Sequence, residues 1–171
     1  QYYVDDGSNA GDEYTPDAVG SNRHTGKTPD APKPNPVNLF RAYRMAAGSV
    51  VHIDTGTYPL ITPLVFSGSV DLGLGLQEGF TLQGPTDTAR QVVLSPAIPG
   101  DRPPALIELV DADYVRLHNL TLEKAERGLW VHGGSDHFDG DYLTASDHTG
   151  DAILIETTSP SAVYSHLTAH H

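Results

Sequence analysis

The sequence predicts an all-β chain: a right-handed single-stranded parallel β-helix, or solenoid, closed at one end by an N-terminal capping strand, a long loop and one short helix. Three observations carry that prediction. Asn119-Leu120-Thr121-Leu122, Tyr142-Leu143-Thr144-Ala145 and His166-Leu167-Thr168-Ala169 recur at spacings of 23 and 24 residues, a period at which each repeat buries its apolar face only by stacking on the next. After Gly48 the chain is a succession of short β-rich runs broken by Gly, Pro and Asp, without helical periodicity. The 171 residues contain no Cys, so stability must come from packing rather than from disulfides.

Residues 1–48 form the expected cap. Tyr2-Tyr3-Val4 reads as a strand, and the Gly-, Pro-, Asp-, Asn- and Ser-rich stretch up to Pro36 reads as a long ordered loop. The 35–46 stretch places Pro36 at a first helical position, keeps Leu39, Phe40, Tyr43 and Met45 largely on one side, and is stopped by Gly48. Residues 49–171 form the expected coils, with strands near 50–53, 64–66, 80–82, 92–94 and 106–109 before the repeats begin. Within the repeats Val115, Phe138 and Ala162 share one column, Leu117, Gly140 and Tyr164 another, and Val131 and Ile155 a third. Val115, Leu117, Leu120 and Leu122 are expected inside, with Arg116 and Thr121 outside. Thr121, Thr144 and Thr168 form an outward ladder that β propensity alone explains.

The last repeat stops at His171 without a capping segment, and the first residue is Gln1 rather than Met. The expectation is a processed or trimmed portion of a longer protein whose open last coil favours end-to-end self-association. With 22 acidic against 10 basic residues, the formal charge is -12, which repels nucleic acid. No apolar run approaches the roughly 20 residues that span a bilayer, so membrane insertion is not expected.

The densest polar cluster is Asp136-His137-Phe138-Asp139-Gly140-Asp141, followed by Asp147-His148-Thr149-Gly150-Asp151. Asp139, Asp141, Asp147 and His148 are the catalytic candidates, because His with Asp supports acid/base chemistry. The same residues also suit plain solvent-facing turns. Trp130, His137 and Arg116 are the ligand-binding candidates. Trp130 lies between inward-facing Leu129 and Val131, so its indole points outward, either to stack on a sugar or to pack beneath a loop. Arg116 falls opposite Asp139 on the next coil, either to grip an acidic polysaccharide or to form a cross-coil ion pair, and Lys124, Asp147 and His171 make a second exposed row. Asp5, Asp6, Asp12 and Asp136 are the metal candidates, with Ca²⁺ as the cation their hard oxygens suit. A solvated acidic loop is the alternative.

The chain resembles the pectate-lyase-like right-handed β-helix superfamily, especially exported bacterial β-helix repeat proteins. The resemblance is carried by Tyr2-Tyr3-Val4-Asp5-Asp6-Gly7-Ser8, Gly26-Lys27-Thr28-Pro29, the helix near Leu39 and Gly48-Ser49-Val50-Val51-His52-Ile53-Asp54-Thr55-Gly56-Thr57-Tyr58. It implies a secreted or cell-surface protein that binds or processes a polysaccharide, by lyase or epimerase chemistry if catalytic. Related folds also serve as non-catalytic structural or adhesive modules, which is the alternative. The Tyr-Gly-x-Asp-Pro-His motif of the epimerases is missing, as are the Asn-Thr-Asp and Gly-His-Gly elements of polygalacturonases.

Overall fold

A computed structural model describes residues 1–68 and 78–156, together with the backbone of the strands Val163–Ser165 and Thr168–Ala169. Strand β1 (Tyr2–Val4) is followed by a long loop and helix α1 (Pro36–Ala42). Asn35 caps the helix by accepting a hydrogen bond from Val37 N–H at 2.9 Å, and Pro36 starts it with a φ already suited to a first turn. The helix ends at Tyr43, earlier than the expected 46, yet Met45 beyond it is still fully buried.

The remaining strands are β2 (Val50–Ile53), β3 (Gly56–Leu60), β4 (Leu64–Ser67), β5 (Thr81–Gln83), β6 (Val92–Pro96), β7 (Ile107–Val110), β8 (Arg116–Glu123), β9 (Leu129–His132), β10 (Asp139–Ser146), β11 (Ile153–Ile155), β12 (Val163–Ser165) and β13 (Thr168–Ala169). Their ladders are all parallel. The larger sheet has nine strands along the path β1-β2-β5-β8-β10-β12, with β3 and β6 running beside it and β13 on β10. The smaller sheet runs β11-β9-β7-β4. The apolar faces meet in one core that includes Ile53, Tyr58, Phe66, Phe80, Leu94, Leu109, Leu122, Val131 and Phe138.

This arrangement corrects the expected right-handed single-stranded parallel β-helix. The strands lie in two sheets, one of them curled into a half-barrel, rather than in a solenoid of equal coils. The physical reason is unequal layer length. The repeat holds from Arg116 onward, where Arg116 pairs with Asp139 and Asp139 with Val163. Upstream, Val50 pairs with Thr81 and Thr81 with Arg116, 31 and 35 residues apart, and Leu64 pairs with Ile107 across 43.

The curl has a local cause. Asn119 and Tyr142, at corresponding points of β8 and β10, have φ of 50° and 51°. A left-handed residue inside a strand breaks the two-residue alternation and bends the sheet. Leu117 and Leu120 are therefore both buried although they lie three positions apart, an offset that would put them on opposite faces of a regular strand. The same backbone corner is held by Asn119 Nδ2, which donates to Pro85 O at 2.8 Å and Arg90 O at 3.1 Å. In the earlier layers the chain divides at this point into separate strands, β2 and β3 or β5 and β6, and β3 had no counterpart among the expected runs.

The side chains of residues 163–165 and 168–169, together with Ala162, His166, Leu167, His170 and His171, lie outside the described residues. The expected open last coil and the exposed row ending at His171 fall there.

Candidate functional site

Parallel pairing stacks equivalent residues about 4.8 Å apart, and residues two apart on a strand share a face. On the outer face of the larger sheet this builds two adjacent rows. Val50, Thr81, Arg116 and Asp139 form one, and His52, Gln83, His118 and Asp141 form the other. Two adjoining clefts run over them. One of about 680 Å³ is lined by residues including Tyr114, Arg116, His137 and Asp139. The other, of about 300 Å³, is lined by residues including Gln83, His118, Asp139 and Asp141. Arg116 and Asp139 border both, so the clefts form one groove.

Two pairs cross from β8 to β10 along the groove. Arg116 Nε is 3.5 Å from Asp139 Oδ2, with side chains 67% and 45% exposed. His118 Nδ1 is 3.5 Å from Asp141 Oδ2, with side chains 26% and 31% exposed. The second pair is better shielded from water, and its carboxylate faces the imidazole Nδ1. Aromatic rings flank the pairs. Tyr114 stacks on His137 with ring centroids 4.3 Å apart, and Tyr142 meets His118 edge-on at 5.7 Å. Tyr114 is 57% exposed and Tyr142 37%, which leaves ring surface for a ligand.

His52 heads the second row, between Tyr3 and Tyr14 at 5.2 and 4.4 Å. Burial, and secondarily the N-terminal ammonium, hold its pKa below the usual imidazole range. Its Nδ1 is buried without a hydrogen-bond partner among the described residues.

The structure brings Arg116, His137, Asp139 and Asp141 together in the groove and places the other candidates elsewhere. Asp147 pairs with Arg102, Oδ1 to Nη2 3.4 Å, and its carbonyl also accepts from that guanidinium. His148 is buried, with Nε2 3.0 Å from Leu122 O and Nδ1 3.2 Å from Ala125 N. Burial lowers its pKa, and the neutral ring joins two backbone segments instead of facing a ligand.

Trp130 lies on the outer face of the smaller sheet. Its indole N–H donates to Glu156 Oε2 at 2.7 Å, its ring stacks on His132 at 4.0 Å, and Arg127 lies 5.2 Å from the ring centroid. His132 Nε2 is in turn 2.8 Å from Glu108 Oε1. The indole is thus already engaged by protein groups.

Sequence reasoning missed His118 and Tyr114 in the groove, and Tyr142 edge-on to His118. Among the metal candidates Asp5, Asp6 and Asp12 gather near Asp54, whereas Asp136 belongs to the turn before β10, its N–H donating to Asp113 Oδ1 at 2.7 Å. Among the described residues no three His, Asp or Glu side chains converge as a metal-binding group, and no helix is long and apolar enough to cross a membrane.

Compared with protein-family models, curated proteins and solved structures, the chain matches none. Nothing in those comparisons identifies a pectate-lyase-like superfamily.

Proposed function

We propose that the groove on the outer face of the larger sheet binds an extracellular polysaccharide, with the protein secreted or displayed at a cell surface. The observation that carries this reading is the convergence, across neighbouring strands of an open groove, of a cation, two carboxylates, an imidazole and exposed tyrosine rings. An extended groove suits a chain-like ligand. Exposed rings suit the apolar faces of sugars, and Arg116 suits a uronate carboxylate through charge-assisted hydrogen bonds. If the groove is catalytic, His118 oriented by Asp141 is the acid/base pair, and the chemistry is lyase or epimerase in type, since both begin with proton abstraction next to a uronate carboxylate.

A second reading, a non-catalytic structural or adhesive module, has its own observation. Arg116–Asp139 and His118–Asp141 each join neighbouring strands, which is also how ion pairs stitch a sheet. Incubation with oligogalacturonate and alginate fragments separates the two. New absorbance from unsaturated uronate ends, or an altered epimer ratio by NMR, abolished by His118→Ala, supports catalysis. Binding without either product supports a polysaccharide-binding groove without catalysis, and absence of binding to any acidic or neutral glycan contradicts the groove reading and leaves the pairs as stitches of a structural module.

A further inference from the structure

Asp5, directly after β1, is fully buried. Its Oδ2 accepts a hydrogen bond from Gly20 N–H at 3.1 Å. Its Oδ1 is buried with no donor, and so are both carboxylate oxygens of Asp12, which lies against Asp5. The neighbouring carboxylates are differently placed. Asp6 accepts from Ser8 and Thr57 N–H, and Asp54 accepts from the N–H groups of Glu13, Tyr14, Thr15 and Thr55. Asp6 and Asp54 are therefore satisfied as anions, while three oxygens of Asp5 and Asp12 are orphaned beside them.

A buried carboxylate oxygen without a donor carries the full cost of its lost hydration. A single shared proton would engage one oxygen of Asp5 and one of Asp12 and leave Asp12's other oxygen unsatisfied. A cation gripped by both Asp12 oxygens and by Asp5 Oδ1 engages all three. We propose that Asp5 and Asp12 bind a Ca²⁺ ion that fastens the N-terminal loop around Asp12 to the end of β1.

Ca²⁺ fits better than Mg²⁺ because it accepts bidentate carboxylates and completes its shell flexibly with backbone carbonyls and water, whereas Mg²⁺ demands near-ideal octahedral geometry. The electrostatics agree. Burial first, then the surrounding carboxylates, push Asp5 up to about 7 and Asp12 up to about 6, against a hydrogen bond with Asp5 and then Arg90, which act to lower Asp12. A cation removes that penalty.

What the ion would hold is visible in the backbone. Gly20 N–H also donates to Asp6 O at 2.8 Å, and a side chain on Gly20 would place Cβ 1.9 Å from Asp5 O. The segment is thus seated tightly on Asp5 and Asp6, and Thr55 Oγ1 donates to Gly11 O at 3.0 Å. The proposal is independent of the polysaccharide groove.

The test is thermal unfolding of the whole chain at pH 7.5 in EDTA, in millimolar Ca²⁺ and in millimolar Mg²⁺, with Tb³⁺ luminescence as a direct binding readout. Ca²⁺ should raise Tm and continue to raise it with each tenfold increase in concentration above Kd, with a smaller response to Mg²⁺. Tb³⁺ emission should appear in the wild type and be displaced by Ca²⁺. Asp12→Asn should lose both responses, and Asp151→Asn, at an exposed position away from the cluster, should keep them. If Asp12→Asn does not fold, the wild-type Ca²⁺ against Mg²⁺ comparison and the Tb³⁺ displacement decide alone. A Tm indifferent to Ca²⁺ with no Tb³⁺ emission overturns the proposal. So does an Asp12→Asn variant more stable than wild type in EDTA while wild type ignores Ca²⁺, which is the signature of a proton-sharing pair.

Discussion

His118 on β8 and Asp141 on β10 face each other across the parallel ladder, Nδ1 to Oδ2 at 3.5 Å, at positions 23 residues apart. A partly exposed pair of this kind contributes little to stability, about 0–1 kcal/mol, so its removal separates a functional role from a structural one. Asp141→Asn and His118→Ala should each lower Tm by no more than a few degrees while weakening glycan binding at least tenfold, measured by calorimetric titration. Equal affinity in wild type and both variants would remove the pair from the site.

His148 is the opposite case. Truncation to Ala strands Ala125 N–H and Leu122 C=O inside the protein and opens a cavity, a combined cost of about 2–4 kcal/mol. Chemical denaturation of His148→Ala should show that loss, and His148→Gln, which keeps a donor and an acceptor, should recover part of it. A variant as stable as wild type would mean that the ring is not the lock the geometry describes.

Opposed pH effects follow from the buried groups in protein stripped of cations. Asp5 and Asp12 have folded-state pKa values raised from 3.8 to about 7 and about 6. The folded state therefore binds their protons more tightly, and their contribution is full below 3.8 and lost as pH rises toward 7. His52 and His148 have lowered values, so the unfolded state binds their protons more tightly and stability declines as pH falls below 6.5. Asp12→Asn should remove Asp12's own share of the first trend and reduce Asp5's, leaving the part that Asp5's burial carries, in denaturation midpoints recorded from pH 8 to pH 4. An unchanged profile would contradict this assignment.

Left-handed backbone marks the corners of the repeat. Tyr114 and His137, Asn119 and Tyr142, and Lys124 and Asp147 all have positive φ, and the members of each pair are 23 residues apart. Lys124 is exposed, at φ 66°, and bonds only to its neighbour Glu123 among the side-chain contacts described for it. Lys124→Gly should therefore stabilise the protein by about 0.5–1 kcal/mol, because relief of the left-handed strain outweighs the added backbone entropy of the unfolded chain. Destabilisation in a denaturant titration would show that the lysine contributes more than its backbone costs.

Periodicity made the repeats legible. The interior set Val115, Leu117, Leu120 and Leu122 and the outward Arg116 could be read from it, and so could Arg116 opposite Asp139. The same register already placed His118 beside Asp141. His118 carries no local motif of its own, and only its register, one repeat before the dense Asp-His cluster, sets it beside Asp141.

Global architecture was less legible. A uniform coil was extrapolated upstream into layers of 31 and 35 residues, where long connections carry no periodic signal and pairing is decided by distant contacts. The bend at Asn119 and Tyr142 was hidden because Tyr carries no signal for left-handed backbone and Asn119, although its type tolerates that conformation, lies within an apolar strand-like run. His148 looked catalytic by composition, and its burial depended on packing against Leu122 and Ala125 that no local pattern shows.

The central claim, that the groove between Arg116, His118, Asp139 and Asp141 is a polysaccharide site, is tested most directly by NMR titration of the labelled protein with oligogalacturonate and alginate fragments. Binding in the groove should give saturable shifts concentrated at Tyr114, Arg116, His118, His137, Asp139 and Asp141. Shifts confined to the smaller sheet around Trp130, or none with either ligand or with neutral glycans, would contradict it.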